Sequence, residues 1–249
     1  MHPFKDYFSK QSDIYAKYRP QYPPELYAFL ASKTAAHNKV WDCGTGNGQA
    51  AVDLTQYYQE VFATDPSEQQ IVNSTPHPQV TYAVEKAERS SLPDASVDLI
   101  TVANAMHWFD FELFYAEVKR VLKPDGIIAA WSYALPFISE EIDPIVYNFH
   151  HGVLNDYWVA ENRLVEKEYS TIPFPFKEHL HPEFYSYKEM DLVDTIGYFN
   201  TWSAVQRYIA TNHINPTDEF AKALSNVWGY PETKRIMRWK LALKIGSLL

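Results

Sequence analysis

The chain alternates between short apolar runs and segments of helical character from residue 39 to residue 133. Each apolar run has the length of a strand and is bounded by turn-forming or polar residues. These runs lie at 39–43, 61–65, 79–84, 97–104 and 127–133. Near-continuous apolar strands that alternate with helices are typical of a parallel sheet covered on both faces. The pattern therefore predicts an α/β fold with a doubly wound, mostly parallel sheet.

Local signals predict the helices that connect these strands. Residues 49–58 have helical character, and Ser67 opens a second helix with Gln70 three positions on, as in a capping box. Asp110 is a suitable N-cap for a helix over 111–122, whose apolar residues share one face.

The pattern changes after residue 134. Residues 139–168 have irregular helical character, and 179–187 has the composition of a strand. Three short helices are predicted at 188–198, 202–211 and 217–228. Residues 237–245 alternate apolar and less apolar positions, which predicts a last strand with one buried face.

The composition of the chain argues against several classes of protein and partner. The 249 residues carry a formal net charge of −9, which disfavours nucleic acid or an anionic membrane as partner. Cys43 is the single cysteine, so one chain forms neither a disulfide framework nor a cysteine-built zinc site. No run approaches the roughly 18 apolar residues of a membrane span. We expect a soluble, cytoplasmic protein, present as a monomer or a homodimer.

A glycine loop follows the first predicted strand in "VWDCGTGNGQA" (40–50), and Asp65 ends the next strand. Glycines let a ligand approach the backbone, and an acid in this place can accept hydrogen bonds from a ribose diol. A dinucleotide fingerprint would need Gly or Ala where Gln49 stands, which argues against a nicotinamide oxidoreductase. The pattern present is D-x-G-x-G-x-G, which suits an amino-acid tail and a ribose.

The stretch 40–133 resembles the class I S-adenosylmethionine-dependent methyltransferases, in the form of the methyltransferase type 11 domain. "AERSSLPDASVDLI" (87–100) is similar to the family's A-E-x-L-P-x-x-x-S-x-D stretch. "VKRVLKPDGIIAAW" (118–131) is similar to its L-K-P-G-G turn and fifth strand, with Asp125 where glycine is usual. Four further segments resemble the small-molecule branch that includes trans-aconitate-type methyltransferases: "YRPQYP" (18–23), "HWFD" (107–110), "TWSAVQRY" (201–208) and "RWKLALKIG" (238–246).

The resemblance implies a Rossmann-like, doubly wound, mostly parallel seven-stranded sheet with an antiparallel last strand and a helical cap. It implies a single methyltransferase domain over 1–249. Its predicted parts are an N-terminal helical cap (1–36), a cofactor-binding core (37–133), a substrate cap (134–235) and a final strand (236–249). The implied cofactor is S-adenosylmethionine, with S-adenosylhomocysteine as product.

The resemblance also implies a cofactor site. Asp42 and the backbone of the glycine loop would hold the methionine end, and Asp65 the ribose hydroxyls. Ala87 and Glu88 would approach the adenine edge, with Asn104 beneath the methionine portion. The full predicted set is Tyr15, Arg19, Asp42, Gly44, Thr45, Gly46, Asp65, Pro66, Ala87, Glu88 and Asn104. Within it, Tyr15 and Arg19 would reach the cofactor carboxylate or an acidic substrate.

"AMHWFD" (105–110) follows the fourth predicted strand, where ligands bind in doubly wound sheets. Asp110 is expected to cap the next helix and Phe109 to pack beneath it. His107 is the predicted catalytic residue, and Arg19, His107 and Trp108 are the predicted substrate-binding residues. Two interpretations stay open for Trp108, which either faces the substrate or packs inward. His107 either orients a carboxylate or acts as general base for a hydroxyl, because the unperturbed imidazole pKa lies near neutrality.

The predicted function is methyl transfer to a small organic molecule, at a carboxylate or hydroxyl oxygen, with no metal. His150 and His151, like His179 and His181, are expected to be solvated surface residues. Two alternatives remain open: a catalytically silent cofactor-binding protein, and a methyltransferase for a macromolecular acceptor. The N/D-P-P-Y/F motif that suits methylation of base amino groups is not found after the fourth strand.

Overall fold

The computed structural model describes residues 18–249, and an eight-stranded sheet lies at its centre. The strands are β1 (Lys39–Cys43), β2 (Glu60–Asp65), β3 (Val80–Val84), β4 (Val97–Ala103), β5 (Leu122–Tyr133), β6 (Lys177–Glu178), β7 (Phe184–Met190) and β8 (Arg235–Ser247). The α-helices of this range are α1 (Pro24–Lys33), α2 (Gln49–Leu54), α3 (Glu68–Val72), α4 (Phe111–Val121), α5 (Asp143–Asn148), α6 (Asn162–Glu166), α7 (Leu192–Asn200), α8 (Ser203–Asn212) and α9 (Thr217–Trp228).

The strand order is β3-β2-β1-β4-β5-β8, and the first five of these strands are parallel. β8 runs antiparallel to β5, and both β6 and β7 pair antiparallel with β8. The chain reverses its direction of winding between β1 and β4. In doubly wound sheets ligands bind at such a switch point, outside the carboxyl ends of the strands. The predicted parallel sheet with an antiparallel last strand is therefore confirmed.

The sheet has eight strands, so the predicted number of seven is wrong. The additional strand, β6, has only two residues, which is too short for a periodic signal. The strand predicted at 179–187 lies at 184–190, and the helix predicted at 188–198 begins at Leu192. Lys188 and Met190 pair with β8, and the side chain of Asp191 then accepts a hydrogen bond from Asp194 N at 2.8 Å, which starts α7.

Two other boundaries differ from the prediction. The helix expected over 49–58 ends at Leu54. β5 begins at Leu122, so "KPDG" (123–126), which resembles the family's turn before the fifth strand, lies within the bounds of β5. The pairing of β4 with β5 is irregular between Val97 and Leu99, which accommodates Pro124, because proline enters sheets at such irregular places.

Apolar side chains on both faces of the sheet form two clusters. Val40 and Leu99 belong to one cluster, and their chain neighbours Trp41 and Ile100 belong to the other. Successive side chains of a strand point to opposite faces, so both faces of β1 and β4 are buried. This explains the unbroken apolar runs in the sequence.

Part of the predicted substrate cap belongs to the sheet. β6 and β7 lie within 134–235, and buried residues of α7 and α9 share a cluster with Trp239 of β8. The division into caps and core remains a prediction. Between residues 18 and 249, no helix combines the length and apolarity needed to cross a bilayer.

Candidate active site

A cavity of about 560 Å³ lies at the carboxyl ends of the central strands. It is lined by the glycine loop after β1, by Asp65 at the end of β2, by the loop after β4 and by Tyr133 at the end of β5. Its other walls come from the N-terminal segment at Arg19 and from parts of the region 134–203. Small-molecule sites commonly measure about 300 to 1,000 Å³.

The glycine loop needs residues without a side chain at two positions. Gly44 has φ of +71°, and a Cβ there would lie 2.6 Å from Ala105 Cβ. Gly48 has φ of +86°, and a Cβ there would meet the hydroxyl of Tyr82. The loop after β1 therefore packs directly against the loop after β4, and the left-handed backbone favours glycine.

Asp42 lies beneath this loop and does not line the cavity. Its carboxylate accepts hydrogen bonds from the hydroxyls of Thr45, at 2.6 Å, and Thr101, at 2.7 Å. Burial raises the pKa of Asp42 from 3.8 to about 6, although both hydroxyls oppose the shift. Thr45 itself lines the cavity. In this geometry Asp42 supports the loop, and its role at the methionine end of the cofactor stays a prediction.

Asp65 lies at the cavity wall and is tied to the glycine loop. Its Oδ2 accepts from Gly46 N at 3.0 Å, and its Oδ1 accepts from Ser67 N at 2.9 Å. Ser67 caps α3 by accepting from Gln70 N, as predicted. The carboxylate is thus held in one orientation beside the loop, where further lone pairs can accept from a ligand.

Arg19 lines the cavity from the N-terminal segment. Its guanidinium lies 5.3 Å from the centre of the Tyr198 ring, and Nη1 is 3.5 Å from the Tyr133 hydroxyl. The backbone here is held by two side chains, since Gln49 Nε2 donates to Pro20 O and Lys188 Nζ donates to Arg19 O, both at 3.1 Å. Gln49, which argued against a dinucleotide site, therefore fixes the segment that carries Arg19.

The loop after β4 presents Asn104, His107 and Trp108 to the cavity. Asn104 has φ of +53°, and its N–H donates to Trp131 O at 2.7 Å. Phe109 packs on Phe114 with ring centres 4.9 Å apart. The predicted place of Phe109 beneath the helix is thereby confirmed.

His107 is almost fully buried, with 5% of its surface exposed, although it contributes to the cavity wall. Its Nδ1 lies 2.9 Å from the hydroxyl of Tyr169. Burial lowers the pKa of His107 to about 3. This value is far from the near-neutral pKa on which the general-base interpretation depended, and the role of His107 stays a prediction. Trp108 is half-buried and its ring centre is 4.8 Å from that of His107.

The structure brings most of the predicted residues to this cavity. Those that line it are Arg19, Gly44, Thr45, Gly46, Asp65, Pro66, Asn104, His107 and Trp108. Ala87 and Glu88 do not line it. Ala87 is buried, and Glu88 accepts a hydrogen bond from Asp110 N at 3.0 Å, next to the start of α4. Asp110 caps α4 through Leu113 N, as predicted. Tyr15 lies outside the described residues.

The cavity also contains residues to which the sequence analysis gave no place in the site. Trp158 and Trp202 line it, with ring centres 5.4 Å apart, and His150 stacks on Trp158 at 4.6 Å. Only 6% of His150 is exposed, so the prediction of a solvated surface residue is wrong for it. Burial, and then electrostatic interactions with His151 and Arg163, lower its pKa to about 3. The aromatic richness of the chain was the one available signal.

His150, His151 and Glu166 place their donor atoms within 4.8 Å of one another. Arg163 Nη1 donates to both oxygens of Glu166, at 2.9 and 3.0 Å. The carboxylate is therefore already paired with a cation, and the arrangement fits an ion-pair network better than a metal site.

The chain is similar to known methyltransferases over almost its whole length. The family described as "Methyltransferase domain" matches residues 41–130. A Dictyostelium discoideum protein named as a methyltransferase is 34% identical over 225 residues, covering 89% of this chain and 86% of that protein. A solved structure described as that of a type II methyltransferase from Anaeromyxobacter dehalogenans is 40% identical with a TM-score of 0.88, covering 93% of this chain and 98% of that chain. A Saccharomyces cerevisiae protein named as an S-adenosylmethionine-dependent methyltransferase is 26% identical over 166 residues, covering 62% of this chain and 57% of that protein.

These likenesses agree with the switch-point cavity, the glycine loop and the acid at the end of β2. The chain belongs to the class I S-adenosylmethionine-dependent methyltransferases, and S-adenosylmethionine is its cofactor. No branch of the family, trans-aconitate-type or other, is singled out by the likenesses.

Proposed function

We propose that this methyltransferase methylates an oxygen of a small organic molecule, with a carboxylate favoured over a hydroxyl. The observation that carries the proposal is that one cavity has both a wall suited to the cofactor and a wall of aromatic side chains. The glycine loop and Asp65 form one wall, and the rings of Trp158, Trp202 and Tyr198 contribute to another. A methyl donor and an aromatic-walled acceptor site would thus share a single cavity.

The residues at the strand ends fit the cofactor. The Asp65 carboxylate, already oriented by Gly46 N and Ser67 N, would accept from the ribose hydroxyls. The loop backbone at Gly44 and Gly46 would hold the methionine end, with Asn104 on the side of β4. When bound, S-adenosylmethionine supplies a methyl group that its sulfonium has already activated.

The chain's own contribution would then be alignment and the exclusion of water. Holding two reactants in line supplies much of the rate enhancement for a displacement of this kind. The aromatic rings would enclose an acceptor of small size, and Arg19 would attract one that carries negative charge. The acidic net charge of the chain supports a small acceptor over nucleic acid.

The protonation state of His107 favours the carboxylate. A group whose conjugate acid has a pKa of about 3 is a weak base at neutral pH, so His107 is poorly suited to remove a hydroxyl proton. A carboxylate is already ionised and needs no base. His107 would instead hydrogen-bond to the acceptor as a neutral imidazole.

A methyl-transfer assay tests this proposal. Purified protein would receive S-adenosylmethionine with a labelled methyl group and a panel of small acids, phenols, alcohols and amines. We expect label on an acid, released by mild base as expected of a methyl ester. Base-stable label on a phenol or alcohol would move the acceptor to the hydroxyl class, and label on an amine would overturn O-methylation.

The same assay separates the alternatives. Transfer to added protein or nucleic acid, with none to the panel, would support a macromolecular acceptor. Tight binding of S-adenosylhomocysteine without transfer to any acceptor class would support a catalytically silent cofactor-binding protein. Asp65→Ala serves as the cofactor-deficient control for background label.

A further inference from the structure

Tyr169 is fully buried and does not line the cavity, but it contacts His107, which does. It lies three residues beyond the end of α6, and its φ of +57° places it in the left-handed region. Glu168 before it has φ of +51°. Left-handed backbone is uncommon for a residue with a large side chain and costs free energy, so the surrounding packing must hold it. The result is a phenol directed at His107, 62 positions away in sequence.

The contact joins the Tyr169 hydroxyl to Nδ1 of His107 at 2.9 Å. Burial raises the pKa of Tyr169, so the phenol keeps its proton across the working pH range. The Ser132 hydroxyl, and then the backbone N–H groups of His107 and Met106, oppose part of that shift. Among the described residues Ser132 Oγ forms no hydrogen bond, whereas Nδ1 of His107 lies at hydrogen-bond distance, so Nδ1 is the acceptor for the phenol proton.

A neutral imidazole carries one proton on its two nitrogens. Because Nδ1 accepts from Tyr169, the proton must reside on Nε2. The second nitrogen is then a hydrogen-bond donor, and it belongs to a side chain that lines the cavity.

We infer that Tyr169 is a positioning residue that holds His107 in the Nε2–H tautomer, so that His107 donates a hydrogen bond to the acceptor oxygen instead of taking its proton. The inference rests on the proposed function only in naming an acceptor oxygen as the group that receives the hydrogen bond from His107 Nε2–H. The tautomer itself is a property of the protein alone. No proton is transferred in this arrangement.

The test is a tautomer measurement with a matched pair of variants. Protein labelled with ¹⁵N at histidine would be studied by long-range ¹H–¹⁵N NMR, with the His107 signals assigned through His107→Gln. Tyr169→Phe removes the phenol that contacts His107. Tyr115→Phe removes another phenol of the same apolar cluster, one that donates to Pro173 O, and serves as control.

In the wild-type protein we expect the His107 signals of an Nε2–H tautomer with no protonation down to about pH 4. In Tyr169→Phe we expect a mixture of tautomers, and in Tyr115→Phe the wild-type pattern. An Nδ1–H tautomer in the wild-type protein would overturn the inference. This measurement on the wild-type protein tests the inference even if Tyr169→Phe fails to fold. An unchanged tautomer in Tyr169→Phe would also overturn it.

Kinetics and cofactor binding distinguish this inference from the proposed function. With an active acceptor, Tyr169→Phe should lower kcat severalfold without changing S-adenosylhomocysteine affinity. The loss should be smaller than the roughly 10²–10³-fold that removal of an oriented donor costs, because part of the mixed population keeps the Nε2–H tautomer. Failure of the wild-type protein to methylate an oxygen would defeat the proposed function and leave the tautomer result intact. A full kcat in Tyr169→Phe would refute the positioning role.

Discussion

The hydroxyl of Thr45 donates a hydrogen bond to the carboxylate of Asp42 across 2.6 Å, beneath the glycine loop. Thr45 faces the cavity, whereas Asp42 is fully buried. The acid of the D-x-G-x-G-x-G pattern thus supports the loop from the core. Its environment makes the stability of the protein depend on pH.

Asp42→Asn should change how stability varies with pH. Burial raises the folded-state pKa of Asp42 from 3.8 to about 6, so the native state binds the proton more tightly than the unfolded state. The free energy of unfolding therefore falls as pH rises from about 4 to 6, by an amount of about 3 kcal/mol for this group. Relative to the wild-type protein, Asp42→Asn should become more stable over this range. Denaturant unfolding at pH 4 to 7 measures the difference.

Asp98→Asn provides a control for which stability relative to the wild-type protein should change with pH in the opposite direction. Burial alone would raise the pKa of Asp98, but hydrogen bonds from Lys123 and from the backbone of Lys39 and Asn38 lower it overall. Ionised Asp98 stabilises the native state, and that contribution is lost as pH falls. Asp98→Asn should therefore lose stability relative to wild type as pH rises. Equal slopes in the two variants would contradict this assignment.

Asp65→Ala should weaken the binding of S-adenosylhomocysteine by at least about tenfold, because a hydrogen bond to a charged group contributes roughly 1.5–3 kcal/mol. Calorimetry gives the affinity directly. Asp125→Ala removes the same charge at an exposed position and should bind as the wild type does. Unchanged affinity in Asp65→Ala would mean that the ribose lies elsewhere.

The rate of methyl transfer should show no titration of His107 between pH 5 and 8. Burial holds its pKa at about 3, so the imidazole is neutral throughout this range. His107→Gln should lower kcat without adding or removing an inflection in the pH–rate profile. An inflection near pH 6.5 that disappears in His107→Gln would restore the general-base interpretation. Full turnover in His107→Gln would remove His107 from the mechanism.

Gly48→Ala should cost more stability than Gly46→Ala. Both glycines have positive φ, +86° and +57°, so both variants pay about 1–2 kcal/mol for the backbone conformation. A Cβ at Gly48 meets the Tyr82 hydroxyl, whereas a Cβ at Gly46 comes no nearer than 4.0 Å to Gln70 Oε1. We expect a further penalty of about 1–3 kcal/mol in Gly48→Ala, with weaker cofactor binding. Thermal unfolding and calorimetry compare the pair, and equal losses of stability would rule out the steric explanation.

Features that depend on neighbouring residues could be predicted from the sequence. The cap at Asp110, the cap at Ser67 and the parallel strands around the glycine loop all follow from local spacing and from apolar runs. The edge strands were harder, because the boundary between β7 and α7 depends on pairing with β8, about 50 positions away.

The sequence by itself determined the class of fold, the glycine loop and the place of Asp65, since backbone freedom and strand periodicity are local properties. Only the tertiary structure decided that Asp42 supports the loop from the core, that His150 is buried, and that Tyr169 contacts His107. The physical reason is desolvation. The pKa of His107 depends on which distant segments exclude water from it. The spacing of residues along the chain does not predict which segments those are.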